Sequence, residues 1–245
     1  MLAPIRFGRA LVVGETITLG VTQMKQIAAR EINLTEAFTL VDADGACFRA
    51  SLQEASKEAG RALVYEKMPG STESRARITL VCAVLAKQRM LVVVQKATEL
   101  GCVRIVPVFS DHSVKPTEID KEKPATWPVQ AIKACRQCRR ASMPEVHAVI
   151  PLASAIAAPY WIGATERFWL DDRTAASVAP FAPLEARDGG DYVIAVGPEG
   201  GWSDGERALL GKSAKAVPLG SRVLRAETAA FVGIALVQHR LGDLR

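Results

Sequence analysis

Histidine is scarce, with three copies in 245 residues. His112, His147 and His239 are scattered, so no run of imidazoles at metal-ligand spacing exists. Cysteine is little commoner, and its five copies, an odd number, argue against a disulfide framework. Only Cys135 and Cys138 stand as C-x-x-C. A zinc site would want a second pair, but Cys47, Cys82 and Cys102 are isolated. A redox pair would want the mouth of a βαβ unit, but this one falls late in a predicted helix. A thiol or metal function would therefore rest on that pair alone, and no metal is implied. No uncharged run approaches the ~18 apolar residues of a membrane span; the longest candidate, 228–238, falls well short. The apolar run after Arg6 and Arg9 covers only 10–13, too little for the core of a signal peptide. The expectation is a cytoplasmic protein without a membrane partner. There is no G-x-G-x-x-G, which leaves a Rossmann-type dehydrogenase or methyltransferase with little support.

What is present is the balance of an ordinary globular protein, 49% hydrophobic and 23% charged. The length suits one large or two modest domains. The net charge of +5 is unevenly spread. Lys and Arg match Asp and Glu at eight each over 1–70, lead thirteen to six over 71–140, and trail ten to twelve over 141–245. The excess gathers in Lys115, Lys121, Lys123, Lys133, Arg136, Arg139 and Arg140. Such a tract is either a solvated helix face or a surface that neutralises phosphates.

Residues 1–68 predict a small β-rich unit, with strands at 11–13, 16–19, 37–41, 47–52 and 61–65 and a turn at Asp42-Ala43-Asp44-Gly45. Short strands at this spacing suggest a little barrel. Pro69-Gly70-Ser71-Thr72-Glu73-Ser74 reads as a linker. Over 75–245 the pattern turns α/β. Strands at 78–85, 103–108, 146–150, 168–170, 192–196 and 216–219 alternate with helices at 88–100, 125–141 and 226–239. This predicts a mainly parallel sheet covered on both faces.

Two strand-to-helix turns carry the chemistry. The buried strand 192–196 ends in Gly197-Pro198-Glu199-Gly200-Gly201, and a helix follows, opened by the S-x-x-E capping box of Ser203 and Glu206. The strand 216–219 leads into the loop 220–225 and a strongly apolar helix from Ala226. Glycines let a ligand approach the backbone, and turns on one sheet edge are where open α/β sheets hold ligands. A glycine-rich turn alone is common. Here it is joined by LGSRVLRAET, whose Arg222, Arg225 and Glu227 crowd a turn that needs no charge to fold.

These two stretches resemble the last two motifs of the SPOUT methyltransferases, and in detail those of the ribosomal RNA small-subunit methyltransferase E family, the 16S rRNA uracil-N3 methyltransferases. The resemblance extends to Gln95-Lys96-Ala97-Thr98-Glu99-Leu100-Gly101, to Gln137, Arg140 and Pro144, to Arg6-Phe7, to the stretch 36–45, and to Gly242-Asp243-Leu244. It departs from the family at 23–34, where a basic, histidine-containing helix is usual, and at Arg136, where an acidic residue is common.

The resemblance implies a PUA-like RNA-binding barrel at 1–68, a SPOUT domain at 75–245 with a C-terminal trefoil knot, and a homodimer formed through the knot and last helix. S-adenosylmethionine is the implied cofactor, lying against Leu170, Gly197, Pro198, Glu199, Gly200, Gly201, Leu219, Gly220, Val223, Leu224, Arg225 and Thr228. The implied partner is small-subunit ribosomal RNA or the assembled 30S particle, with Arg6, Lys96 and Arg140 as RNA contacts. Methylation at N3 of uracil needs in-line positioning, a proton acceptor and positive charge beside the developing imide anion. Arg225 is the candidate for the charge and Glu227 for the proton or the orientation of the base; the two could instead form a structural ion pair. A non-catalytic RNA-binding protein remains the alternative, separable by whether S-adenosylmethionine binds at all.

Overall fold

The computed structural model describes residues 2–86, 88–171 and 189–244. The chain divides into two units, Met1–Glu73 with Ile132–Met143, and Ser74–Ala131 with Pro144–Arg245.

In the first unit the alternating segments form β1 (Ile5–Arg6), β2 (Thr16–Leu19), α1 (Val21–Ala29), β3 (Ala37–Val41), β4 (Cys47–Ala55) and β5 (Gly60–Lys67). The five strands make one sheet in the order β1-β3-β4-β5-β2. The expected barrel is therefore not closed by strand pairing: among the described residues β1 and β2 are edges, and α1 packs on both of them. Two register shifts between β4 and β5 add bend to the sheet. Its core is the inward alternate set, with Ile17, Leu19, Leu40, Phe48, Leu52 and Val64 almost wholly buried. The strand expected at 11–13 is instead a turn. The Glu15 carboxylate accepts from Val12 N at 2.7 Å and from Arg9, which curls the segment and leaves Val12 exposed.

The segment Ile132–Met143 belongs to this unit, and Glu73 shows how it is held. Its carboxylate accepts from Ala141 N at 2.9 Å, Ser142 N at 3.0 Å and Arg140 Nη2 at 2.8 Å. Glu73, which the sequence places in a linker, is thus an anchor. Burial raises its pKa, but the Arg140 charge and the bonds from Arg140 and Ser142 outweigh that and hold the carboxyl below its usual value.

The second unit holds β6 (Arg77–Ala83), α2 (Gln88–Glu99), β7 (Arg104–Phe109), the start of α3 (Thr126–Gln137), β8 (Glu145–Val146), β9 (Ile150–Pro151), α4 (Leu152–Ile156), α5 (Pro159–Ile162), β10 (Glu166–Leu170), β11 (Asp191–Val196), α6 (Asp204–Gly211), β12 (Lys215–Val217) and α7 (Ala226–Arg240). The sheet runs β12-β10-β11-β6-β7-β8, with β9 also on β7, and its pairings are parallel. The single strand expected at 146–150 is split in two. The gap faces the part of β7 around Pro107, a residue with no N–H to lend a neighbour. The helix expected to reach 141 stops at Gln137, and Arg139 takes a left-handed φ of 63°.

Both faces of this sheet are covered, as continuous apolar strands require. Ile78, Leu80 and Cys82 of β6 face a core shared with Met90 and Val94 of α2 and Ala230, Ile234 and Val237 of α7. Val81 and Ala83 face the opposite core, with Leu152, Trp161, Trp202 and Leu210. Each fully buried Leu or Ile contributes about 1.5–3 kcal/mol. Gly233 brings α7 against the sheet: a Cβ there would stand 2.9 Å from Leu170 Cδ1. The far end of α7 is fixed by Gln238, which accepts from Ser74 Oγ at 2.8 Å and donates to Leu100 O at 2.9 Å. Among the described residues no helix is long and apolar enough to cross a membrane.

Candidate active site

At the end of β10, the loop after β11 meets the loop after β12 around a cavity of ≈ 270 Å³. This is the carboxyl edge of a parallel sheet, the usual place for a ligand in such folds. Of the twelve sequence-predicted cofactor contacts, Leu170, Gly197, Pro198, Glu199, Gly201, Leu219, Gly220, Val223, Leu224 and Arg225 line it, and Gly200 and Thr228 do not.

Local chemistry explains the loop shapes. Gly197 lies flat on the buried Trp202 indole, so that a Cβ would sit 3.1 Å from the ring. The indole N–H donates to Leu170 O at 3.2 Å, tying the loop after β11 to the end of β10. Gly220 turns its loop at φ 102°, a conformation that glycine adopts without strain. The capping box forms as the sequence predicts: Ser203 N donates to Glu206 Oε2 at 2.9 Å, and Glu206 N donates to Ser203 Oγ at 3.3 Å. The loop after β7 braces this turn from outside. Asp111 N donates to Glu206 Oε1 at 3.0 Å, and His112 Nδ1 stands 3.1 Å from Gly201 O.

Charge is distributed unevenly around the cavity. Glu199 is held by Arg89 at 2.5 Å. Asp171, almost wholly buried, pairs with Arg207, whose Nε donates to Trp202 O at 3.0 Å and whose guanidinium lies over the Trp169 ring. Arg222 and Arg225 line the rim with exposed side chains and, among the described residues, no ion-pair partner. Arg225 is the N-cap of α7, and Glu227 follows in the first turn, where a carboxylate is favoured by the helix dipole. Arg225 and Glu227 do not pair with each other. Glu227 Oε2 is instead buried without a hydrogen-bond partner. Glu227 and Glu199 both act on Cys82 at the end of β6, whose thiol is pushed up to about 12, first by burial and then by these two charges. Cys82 is therefore a neutral core group.

Asp171, Val196, Trp202, Arg207, Arg222, Ala226 and Ala229 also line the cavity, beyond the sequence prediction. Arg222 was legible as a second arginine in the same loop. Asp171 and Arg207 were not, since 36 positions separate them and neither lies in a motif.

Residues 72–238 match the family model described as RNA methyltransferase domain. The chain belongs to this RNA methyltransferase family. Two relatives named Ribosomal RNA small subunit methyltransferase E fit the same assignment. One, from Synechocystis, is 26% identical over 94% of this chain and 75% of its own length, and one, from Aquifex aeolicus, is 26% identical over 92% and 95%. The crystal structure of a Ribosomal RNA small subunit methyltransferase E from Neisseria gonorrhoeae, bound to S-adenosyl methionine, superposes with a TM-score of 0.67 at 29% identity and covers 97% of both chains. A putative methyltransferase from Legionella pneumophila, in complex with bound SAM, gives a TM-score of 0.65 at 27% identity over 97% and 98%.

The RNA-contact candidates of this methyltransferase have different fates. Arg6 is exposed on β1. Lys96, on α2, is paired with Glu99 at 2.8 Å. Arg140 is buried, its guanidinium engaged by Glu73. The basic tract is partly neutralised as well: Arg136 pairs with Glu36 at 2.8 Å, Arg139 with Glu66 at 3.3 Å and Lys121 with Glu118 at 2.9 Å. Lys115, Lys123 and Lys133 remain exposed. Cys135 and Cys138 are not joined in a disulfide.

Proposed function

We propose that the chain transfers a methyl group from S-adenosylmethionine to N3 of a uridine in small-subunit ribosomal RNA. The observation that carries this reading is the cavity between the Gly197–Gly201 turn and the 219–225 loop, with Arg225, unpaired among the described residues, on its rim. The residues present suit the cofactor. Leu170, Val196, Leu219, Leu224 and Ala229 give an apolar wall for a purine, and loop backbone offers donors and acceptors. When bound, the cofactor supplies an electrophilic methyl group. The protein's part is to hold the base in line, to balance the charge growing on uracil's two carbonyl oxygens as N3 loses its proton, and to receive that proton. Arg225 is our candidate for balancing that charge, a reading supported by its position on the cavity rim and its lack of a carboxylate partner among the described residues. Glu227, which does not line the cavity but has a buried oxygen with no hydrogen-bond partner among the described residues, is assigned the proton or the orientation of the base.

The same reading makes the first unit a PUA-like RNA-binding module and the second a SPOUT domain. A C-terminal trefoil knot belongs to the same proposal. A homodimer is supported by α7, where Phe231, Val232, Ala235 and Leu236 are only partly covered. The rRNA substrate assigns the chain to the cytoplasm.

The experiment is methyl transfer from labelled S-adenosylmethionine to small-subunit particles lacking the modification, followed by nucleoside analysis. Labelled 3-methyluridine is expected. A different labelled nucleoside would overturn the assigned reaction, and calorimetry without cofactor binding would return the reading to a non-catalytic RNA-binding protein.

A further inference from the structure

Arginine does not give up its proton inside a protein. A buried guanidinium therefore needs an anion or a full set of acceptors. Arg30, Arg49, Arg136 and Arg140 line one small cavity of the first unit, together with Thr39 and Cys135. Two of the four have carboxylates: Arg136 has Glu36 and Arg140 has Glu73. The other two have none among the described residues. Arg30, 6% exposed, meets only the carbonyl oxygens of Gln26 at 3.1 Å, Ala3 at 2.5 Å and Ala141 at 3.4 Å. Burial lowers its pKa from the usual value. Arg49, also 6% exposed, donates Nη1 to Thr39 Oγ1 at 2.9 Å, while its Nε is buried without a partner. No Asp or Glu lines the cavity. Cys135 supplies no negative charge either, since burial pushes its thiol up to about 12 and it stays neutral at physiological pH.

We propose that this cavity binds one small inorganic anion of halide size, which balances the charges of Arg49 and Arg30. The size follows from the volume: ≈ 20 Å³ admits about one water-sized guest. A whole phosphate is too large. The competing source of the same charge is a single oxygen of an RNA phosphate reaching in from outside.

The test is thermal unfolding of the full chain at constant ionic strength while sodium gluconate is exchanged for chloride or bromide. With about 100 mM halide at roughly ten times the dissociation constant, the midpoint should rise by roughly 4 °C and keep climbing with the logarithm of halide concentration. The chloride NMR linewidth should broaden with wild-type protein and not with Arg49→Met, whose midpoint should also ignore halide. The wild-type measurements stand even if that variant fails to fold. Equal wild-type midpoints in gluconate and halide would overturn the proposal. So would a rise produced by a short oligoribonucleotide in gluconate but not by halide, which would assign the charge to RNA phosphate.

Discussion

Arg225 carries the sharpest residue-scale expectation. Its guanidinium has no ion-pair partner among the described residues, so Arg225→Ala should leave folding intact and lower kcat for methyl transfer by about 10²-fold, the usual effect of removing one electrostatic donor. Single-turnover assays with bound cofactor separate this from a binding defect; an unchanged rate would remove Arg225 from the reaction. Glu73 is the structural counterpart. Glu73→Gln removes the carboxylate from the buried Arg140 and should cost about 3 kcal/mol, read by denaturant unfolding. Because the folded state depresses the Glu73 pKa, its contribution is complete above the unfolded carboxylate value of about 4.3 and is lost as pH falls through the folded one. Wild-type stability should therefore fall more steeply than that of the glutamine variant on acidification below about pH 4.3. The two residues also mark the limit of reading from sequence. Arg225 sits in a dense local motif, whereas Glu73 looked like linker because its partners lie near residue 141.

Among the elements, α7 couples packing to the cavity. Gly233→Val would drive a side chain into Leu170 and Ile194, with an overpacking cost of about 1–3 kcal/mol. Leu170 is also a cavity wall, so the variant should weaken S-adenosylmethionine affinity in calorimetry more than Gly211→Val, which has open space around its Cβ. Equal affinities would uncouple the helix from the site. Elements governed by neighbours in sequence were legible: the capping box of α6, the apolar run of β11, the alternation of β3 to β5. Elements decided at a distance were not. The two-residue β1 has no periodicity to detect and exists only because β3 accepts it. The arginines of the 136–140 segment read as either a solvated helix face or a phosphate-binding surface, because Glu36, Glu66 and Glu73, which neutralise them, lie at least 67 positions away.

For the molecule as a whole, the partly covered face of α7 predicts self-association. Sedimentation across a hundredfold range of concentration should give twice the 26.3 kDa chain mass at the upper end. A constant monomer mass would remove the dimer from the proposed function. The make-up of the first unit has a consequence for synthesis. Its sheet is translated first, but the strip that neutralises Glu73 arrives seventy residues later, from Ser74 to Met143, a delay on the order of ten seconds on the ribosome. Until then the nascent sheet carries a carboxylate without its arginine, and it cannot be excised at residue 73 as a self-sufficient module. Its completion waits on the chain that follows.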